Sequence, residues 1–350
     1  MNTQKTAGCL LAILSYWATI GLAPVAAAEN ATLERAKKEG EVSIYSGQPR
    51  EAERLAAAFN KKYPTIKVSY YDAPIWQLYE RYKTEYRAKR NVVDLMYLSE
   101  AALDKLREDG LLAEYTSPEL AGFSPDSLAP NRFWSNVKPF VAFPCVNTQA
   151  FPNKDLYPKD WTDFASPKPE WTGKLSVFDP RSSGVAYDVL FALSTKFGDE
   201  MTRKIYEGLR KGKARIFSST PEGMQAAVTG EEPVMFYILQ NHWAGAAIGK
   251  KAPLKVLIPT SGAIISFASL GIVKTAPHPN AARLFYDFML SDEGQQVFAG
   301  MHMYVLRKGV PAPKGLPDLH SIPLIRVDAT KELARQKELT KLWVDAIGAE

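Results

Sequence analysis

The stretch Glu41-Val42-Ser43-Ile44-Tyr45-Ser46-Gly47-Gln48-Pro49 decides how the chain is read. Val42, Ile44 and Tyr45 give it the β-branched and aromatic content of a short strand, and Ser46 to Pro49 reads as a turn. Helical spacing of Ala, Leu and Phe follows over 51–61. The alternation then repeats as a strand over 66–70, a helix over 75–89, a strand over 94–98 and a helix over 99–109 closed by Gly110. An opening helix over 29–39, stopped by Gly40, precedes them. Strict alternation of this kind predicts an α/β fold, a parallel sheet wrapped by helices.

After Gly110 the pattern changes. Residues 117–130 are rich in Pro and Ser, and 137–146 reads as extended. A second alternating unit follows, with strands over 175–178, 214–217, 234–237 and 255–258 and helices over 183–197, 201–209, 221–228 and 239–248. Ser219 and Glu222 have the spacing of a capping box. A further strand over 264–273 and helices over 279–290, 292–300 and 330–347 complete the chain. Two α/β units with extended strands between them predict two lobes joined by a hinge.

The first thirty residues carry an export signal. Lys5 supplies a positive start, 10–20 an apolar run, and Ala26-Ala27-Ala28 a small-residue site, so a secretory signal peptide over 1–28, cut after Ala28, is expected. At 350 residues, 46% hydrophobic and 23% charged, the chain has material for two domains of ordinary size and is not disordered. Removing Lys5, the sole charge of the leader, lowers the net charge from +5 to +4. Basic residues fall in short clusters such as Arg203-Lys204, without the dense stripe a nucleic-acid partner requires. No later run approaches the roughly 18 apolar residues of a membrane span. Cys9 lies in the leader, and Cys145, next to Pro144, is expected to be a small buried apolar side chain.

Catalytic signatures are absent. There is no Gly-x-Ser-x-Gly elbow and no dinucleotide glycine fingerprint, and Gly208 to Lys213 is one residue short of a phosphate loop. His242, His278, His302 and His320 form no pair at metal-ligand spacing on a helix. Neither an enzyme nor a cofactor is expected. A secreted hydrolase using Ser183 with a distant His is the catalytic alternative.

Ligands of open parallel sheets sit at the carboxyl ends of the strands. Those ends carry Tyr45-Ser46-Gly47, Ser99-Glu100, Asp179 to Gly184, and Tyr237 to Asn241. In the third, Arg181-Ser182-Ser183-Gly184 opens a helix whose first amides lack internal partners, so an anion is stabilised there. Arg181 adds a fork that matches carboxylate, phosphate or phosphonate. Small Ser46 and Gly47 let backbone approach a ligand, and Glu100 either complements its helix dipole or faces a metal ion or an ammonium group. Trp76, spaced helically with Tyr79 and Tyr82, is either core or an aromatic platform. Gln240 and Asn241 offer amides for oriented hydrogen bonds to a solute.

Several of these segments, read in order, resemble one family. Glu41 to Gln48, Asp94 to Glu100, Trp171 to Lys174 running into Asp179 to Gly184, Gly230-Glu231, Ser261 to Val273 and Asp292 to Gln295 look like periplasmic solute-binding proteins of ABC importers. The branch is the one that includes ferric-ion binders, and the likeness spans nearly the whole chain after the leader. It implies a two-lobe type II periplasmic-binding-protein fold with the ligand cleft between lobes, acting as a monomer that docks on an inner-membrane permease. The lobes would be 29–138 plus 262–310, and 139–261 plus 311–350.

Ferric relatives use a His in the first turn, a Glu after the third strand and two adjacent tyrosines. By position these fall on Pro49, Glu100, Gln240 and Asn241, so three of four ligands are replaced. Neutral carboxamides are poor substitutes for phenolates on ferric iron. Tyr45, Tyr187 or Tyr237 would have to compensate, and an iron site here would use Glu100 and Tyr237. The Arg181 turn matches the place where ferric relatives hold a synergistic anion. The expected cargo is therefore a small anionic organic solute (a phosphonate, phosphate ester or carboxylate), or a zwitterion if Glu100 also lines the cleft. Ferric iron is the alternative.

Overall fold

A computed structural model describes residues 23–349. Residues 1–22, most of the expected leader, lie outside them, and the expected cut after Ala28 falls within the first helix described. The first half runs α1 (Ala23–Glu39), β1 (Glu41–Ser46), α2 (Pro49–Lys62), β2 (Lys67–Asp72), α3 (Ile75–Arg87), β3 (Leu95–Ser99) and α4 (Glu100–Glu108). A long strand, β4 (Trp134–Asn147), crosses into the second half. There β5 (Leu175–Phe178), α5 (Gly184–Phe197), α6 (Asp199–Lys211), β6 (Arg215–Phe217), α7 (Thr220–Thr229), β7 (Val234–Leu239), α8 (Gln240–Ala244) and β8 (Leu254–Val256) follow. The chain returns through β9 (Ala263–Ile272), adds α9 (Pro279–Leu290) and α10 (Asp292–Gly300), and ends with β10 (Leu324–Arg326) and α11 (Ala329–Ile347).

The strands form one mixed sheet ordered β2-β1-β3-β9-β4-β7-β5-β6, with β10 beside β9 and β8 beside β4. Each half contributes a parallel triplet, as its strand–helix alternation predicts: β2-β1-β3 in the first and β7-β5-β6 in the second. Between them β9 and β4 run antiparallel to each other and to their outer neighbours. The two halves therefore share a ladder. Fourteen residues of β4 span about 46 Å at strand rise, enough to serve both triplets. The β4–β7 register shifts across Pro144, which has no N–H for the ladder.

Several local expectations are corrected. Ser219 is the N-cap of α7 but makes no side-chain cap bond, so the capping box does not form. The helix expected over 239–248 is short α8 followed by a π-turn over Gly245–Gly249, where glycines weaken the regular ladder. Strand β10 was not expected, because three residues after Pro323 give no readable alternation. It depends on Gly262, whose φ of 120° and hypothetical Cβ, 2.9 Å from the Pro323 carbonyl, admit no side chain. Cys145 is fully buried, as expected of a small apolar side chain.

Candidate functional site

A cavity of about 460 Å³ lies where the two triplets face each other across β4 and β9. The first half contributes Gln48, Ile75, Trp76, Ser99 and Glu100. Opposite stand the turn from Pro180 to Val185 and, one helical turn further, Tyr187 and Asp188. The crossing strands supply Phe140, Ser266 and Phe267 as the floor, and Glu332 of α11 closes the side.

The turn before α5 owes its shape to Asp179. This buried carboxylate accepts from the Arg181 backbone N–H at 2.8 Å and from Arg181 Nη2 at 2.8 Å, with Nε 3.1 Å from both oxygens. The guanidinium also lies 5.3 Å over the Trp343 ring. Arg181 lines the cavity, but its fork is shared with Asp179 instead of being wholly available to a solute. Ser182 Oγ donates to the Asp179 carbonyl at 3.1 Å, and Ser183 Oγ accepts from Ala186 N–H at 3.3 Å as the N-cap of α5. Both hydroxyls therefore hold the turn. The Gly184 and Val185 N–H groups find no acceptor among the described residues and border the cavity.

Glu100 begins α4 after the N-cap Ser99 and is only 5% exposed. Burial pushes its carboxyl above the ordinary range, outweighing the opposing pull of Arg326, whose Nη2 is 3.3 Å away. The acids Asp188 and Glu332 were missed by sequence reasoning. Both line the cavity, and Asp188 Oδ2 accepts from Ser266 Oγ at 2.6 Å. Burial, and then the charge of Asp188, drive Glu332 well upward; burial raises Asp188 too. Asp188 had one readable signal, as the sole acid of the apolar helix α5. Glu332 had none, sitting in an ordinary amphipathic helix.

Six expected site residues do not line this cavity. Tyr45 turns into the core beneath α3, where its hydroxyl bonds Glu85 at 2.7 Å and accepts from Arg81 Nε at 2.9 Å; burial pushes its pKa up to about 12. Ser46 is fully buried and its Oγ accepts from Gln48 N–H at 3.0 Å. Gly47 backs the wall: a Cβ there would come 3.1 Å from Ile75 Cγ1. Tyr237 is buried against Phe178, with ring centroids 5.5 Å apart. Gln240 is fully buried and its Oε1 accepts from Val141 N–H at 3.0 Å, while Asn241 is half-buried with Oδ1 unpartnered.

These positions bear on the alternatives. Glu100 and Tyr237 are not brought to one point, and among the described residues no group of three His, Cys, Asp or Glu side chains is placed to hold a metal ion. No histidine lines the cavity, so the expected Ser183–His pairing does not form there, and the Ser183 oxygen is already the helix cap.

Residues 90–320 match the family model described as bacterial extracellular solute-binding protein. Over 212 residues the chain is 26% identical to an uncharacterized protein of Haemophilus influenzae, a match over 58% of this chain and 59% of that relative's length. Iron-bound HitA from Pseudomonas aeruginosa superposes with a TM-score of 0.74 at 24% identity, covering 87% of this chain and 99% of that one. AfuA from Actinobacillus pleuropneumoniae, with fructose-6-phosphate bound, superposes with a TM-score of 0.72 at 24% identity, covering 89% and 99%. At these identities the likeness establishes the fold, the two-lobe α/β architecture of periplasmic binding proteins.

Proposed function

Because the chain belongs to the bacterial extracellular solute-binding protein family, we propose that it captures a small organic anion in this cavity for an ABC importer. The observation that supports the reading is the position of the Pro180 to Gly184 turn, which lines the cavity opposite Trp76, Ser99 and Glu100. Unpartnered Gly184 and Val185 amides at a helix start stabilise an oxyanion, and the Arg181–Asp179 pair adds a polarised guanidinium edge. AfuA, of the same fold, has fructose-6-phosphate bound, which supports an organic phosphate as one class of cargo.

The protein works in this reading as a periplasmic monomer freed of residues 1–28. Lobe 29–138 plus 262–310 closes on lobe 139–261 plus 311–350, and the permease reads the closed form. Thermal-shift screening tests the proposal. Sugar phosphates, phosphonates or carboxylates should raise the melting temperature by mass action, and Arg181→Ala should diminish that response. Stabilisation by neutral sugars alone, with every anion inert, would refute it.

A further inference from the structure

We propose that the solute is a zwitterion whose amine is held by Asp188 and Glu332, two acids that line the same cavity. The inference rests on the cavity being the solute site, as argued above, and adds the charge of the guest's second pole.

Burial raises both carboxyls and the charge of Asp188 raises Glu332 further, so the pair keeps one proton in preference to two full charges. Every other charge facing the pair is already committed. From α4, Glu100 is paired with Arg326 of β10 at 3.3 Å. On α11, Arg335 is held by Asp199 at 2.6 Å and Glu338 at 2.9 Å. Arg181 is held by Asp179 at 2.8 Å. On α5 the Tyr187 hydroxyl is spent on the Glu332 carbonyl at 2.7 Å, and on β9 Ser266 serves Asp188. No protein cation stands ready to balance the second negative charge that full ionisation would create. A guest ammonium would balance it and let that proton leave to buffer, so the charge of the pocket is conserved.

Aromatic surface at the same cavity points the same way. Trp76 is 41% exposed and lines the cavity, whereas the floor rings Phe140 and Phe267 each already carry a protein cation, Lys138 at 3.8 Å and Arg326 at 4.8 Å. Ring faces attract an alkylammonium through the aromatic quadrupole. Asp188 follows Gly184 by one turn of α5, so the anionic and cationic poles are about 6 Å apart along the helix axis. The guest is therefore compact.

Isothermal calorimetry in two buffers of different ionisation heat decides the matter, using propylphosphonate, aminopropylphosphonate and propylamine near neutral pH. The expected result is that aminopropylphosphonate binds at least about tenfold tighter than propylphosphonate and releases close to one proton. In Glu332→Gln, checked for folding by its melting curve, proton release should vanish. In the double variant with Asp188→Asn the amine preference should fall to within about twofold. Equal binding of the two phosphonates, or binding without proton release, overturns this inference and leaves the anion reading standing. Binding of propylamine with proton release but of neither phosphonate overturns the anion reading and the zwitterion with it, and leaves a cavity for a simple amine. No binding of any of the three overturns both.

Discussion

Arg326 Nη2 lies 3.3 Å from Glu100 Oε1, an ion pair that ties the returning strand β10 to the first turn of α4 at the rim of the cavity. Burial still raises the Glu100 carboxyl, so the pair sets a buried charge against a half-exposed partner. Arg326→Met removes the partner and leaves that charge in place. Urea unfolding near neutral pH should then show a loss of about 1–2 kcal/mol, discounted because Arg326 faces solvent. The loss should shrink as pH falls, because the raised Glu100 carboxyl takes up its proton earlier than an ordinary glutamate.

Glu332 predicts an unusual pH dependence. Its folded carboxyl titrates above the unfolded one, so the native state keeps a proton that the unfolded chain has released. That contribution is fully present below the ordinary glutamate range and is lost as pH rises through and beyond neutrality. Melting temperature should therefore decline from about pH 5 to about pH 8, more steeply than in Glu332→Gln. A variant and parent with parallel profiles would show that the pair holds no proton.

Lys138 is fully buried on β4, with Nζ 3.1 Å from Glu51 Oε1, while the Tyr97 hydroxyl donates to Glu51 Oε2 at 2.8 Å. Burial lowers the Lys138 ammonium against the pull of Glu51. Glu51→Ala strands the cation where the crossing strand meets α2, and should cost about 3–5 kcal/mol in chemical unfolding. Adding Lys138→Met to that variant should recover much of the loss, because a buried apolar side chain needs no partner. If the second change deepens the loss, packing and not charge dominates the site.

Trp76 separates binding from stability. Its ring packs edge-on against Tyr79, with centroids 5.7 Å apart, yet is 41% exposed toward the cavity. Trp76→Ala should weaken solute binding by about tenfold, or ~1.4 kcal/mol by calorimetry. The melting temperature of the empty protein should fall only slightly, by about 2 °C or less. A large fall in melting temperature with affinity intact would assign the ring to the core.

Much of this arrangement is written in local sequence. Strand–helix alternation makes both parallel triplets, since each segment carries its own periodicity. The Asp179 to Gly184 turn was legible because a strand end, a capping serine and a helix start are all short-range features. Which way a side chain points was less legible. Tyr45 is the penultimate residue of β1, and Tyr237 lies inside β7, which runs to Leu239 instead of ending at 237; along a strand a single residue decides between one face and the other. Gln240, placed like a ligand residue, instead occupies a ladder position against Val141.

Local patterning thus determined most of the elements, the two-unit plan and the turn that opens α5, because hydrophobic period, caps and turn residues act over a few positions. Tertiary structure alone decided that β4 and β9 join both halves in one ladder, and that α11 folds back to lay Glu332 against Asp188. Contacts between distant segments depend on how whole layers pack, and a lone acid in a helix carries no mark of the partner it will meet.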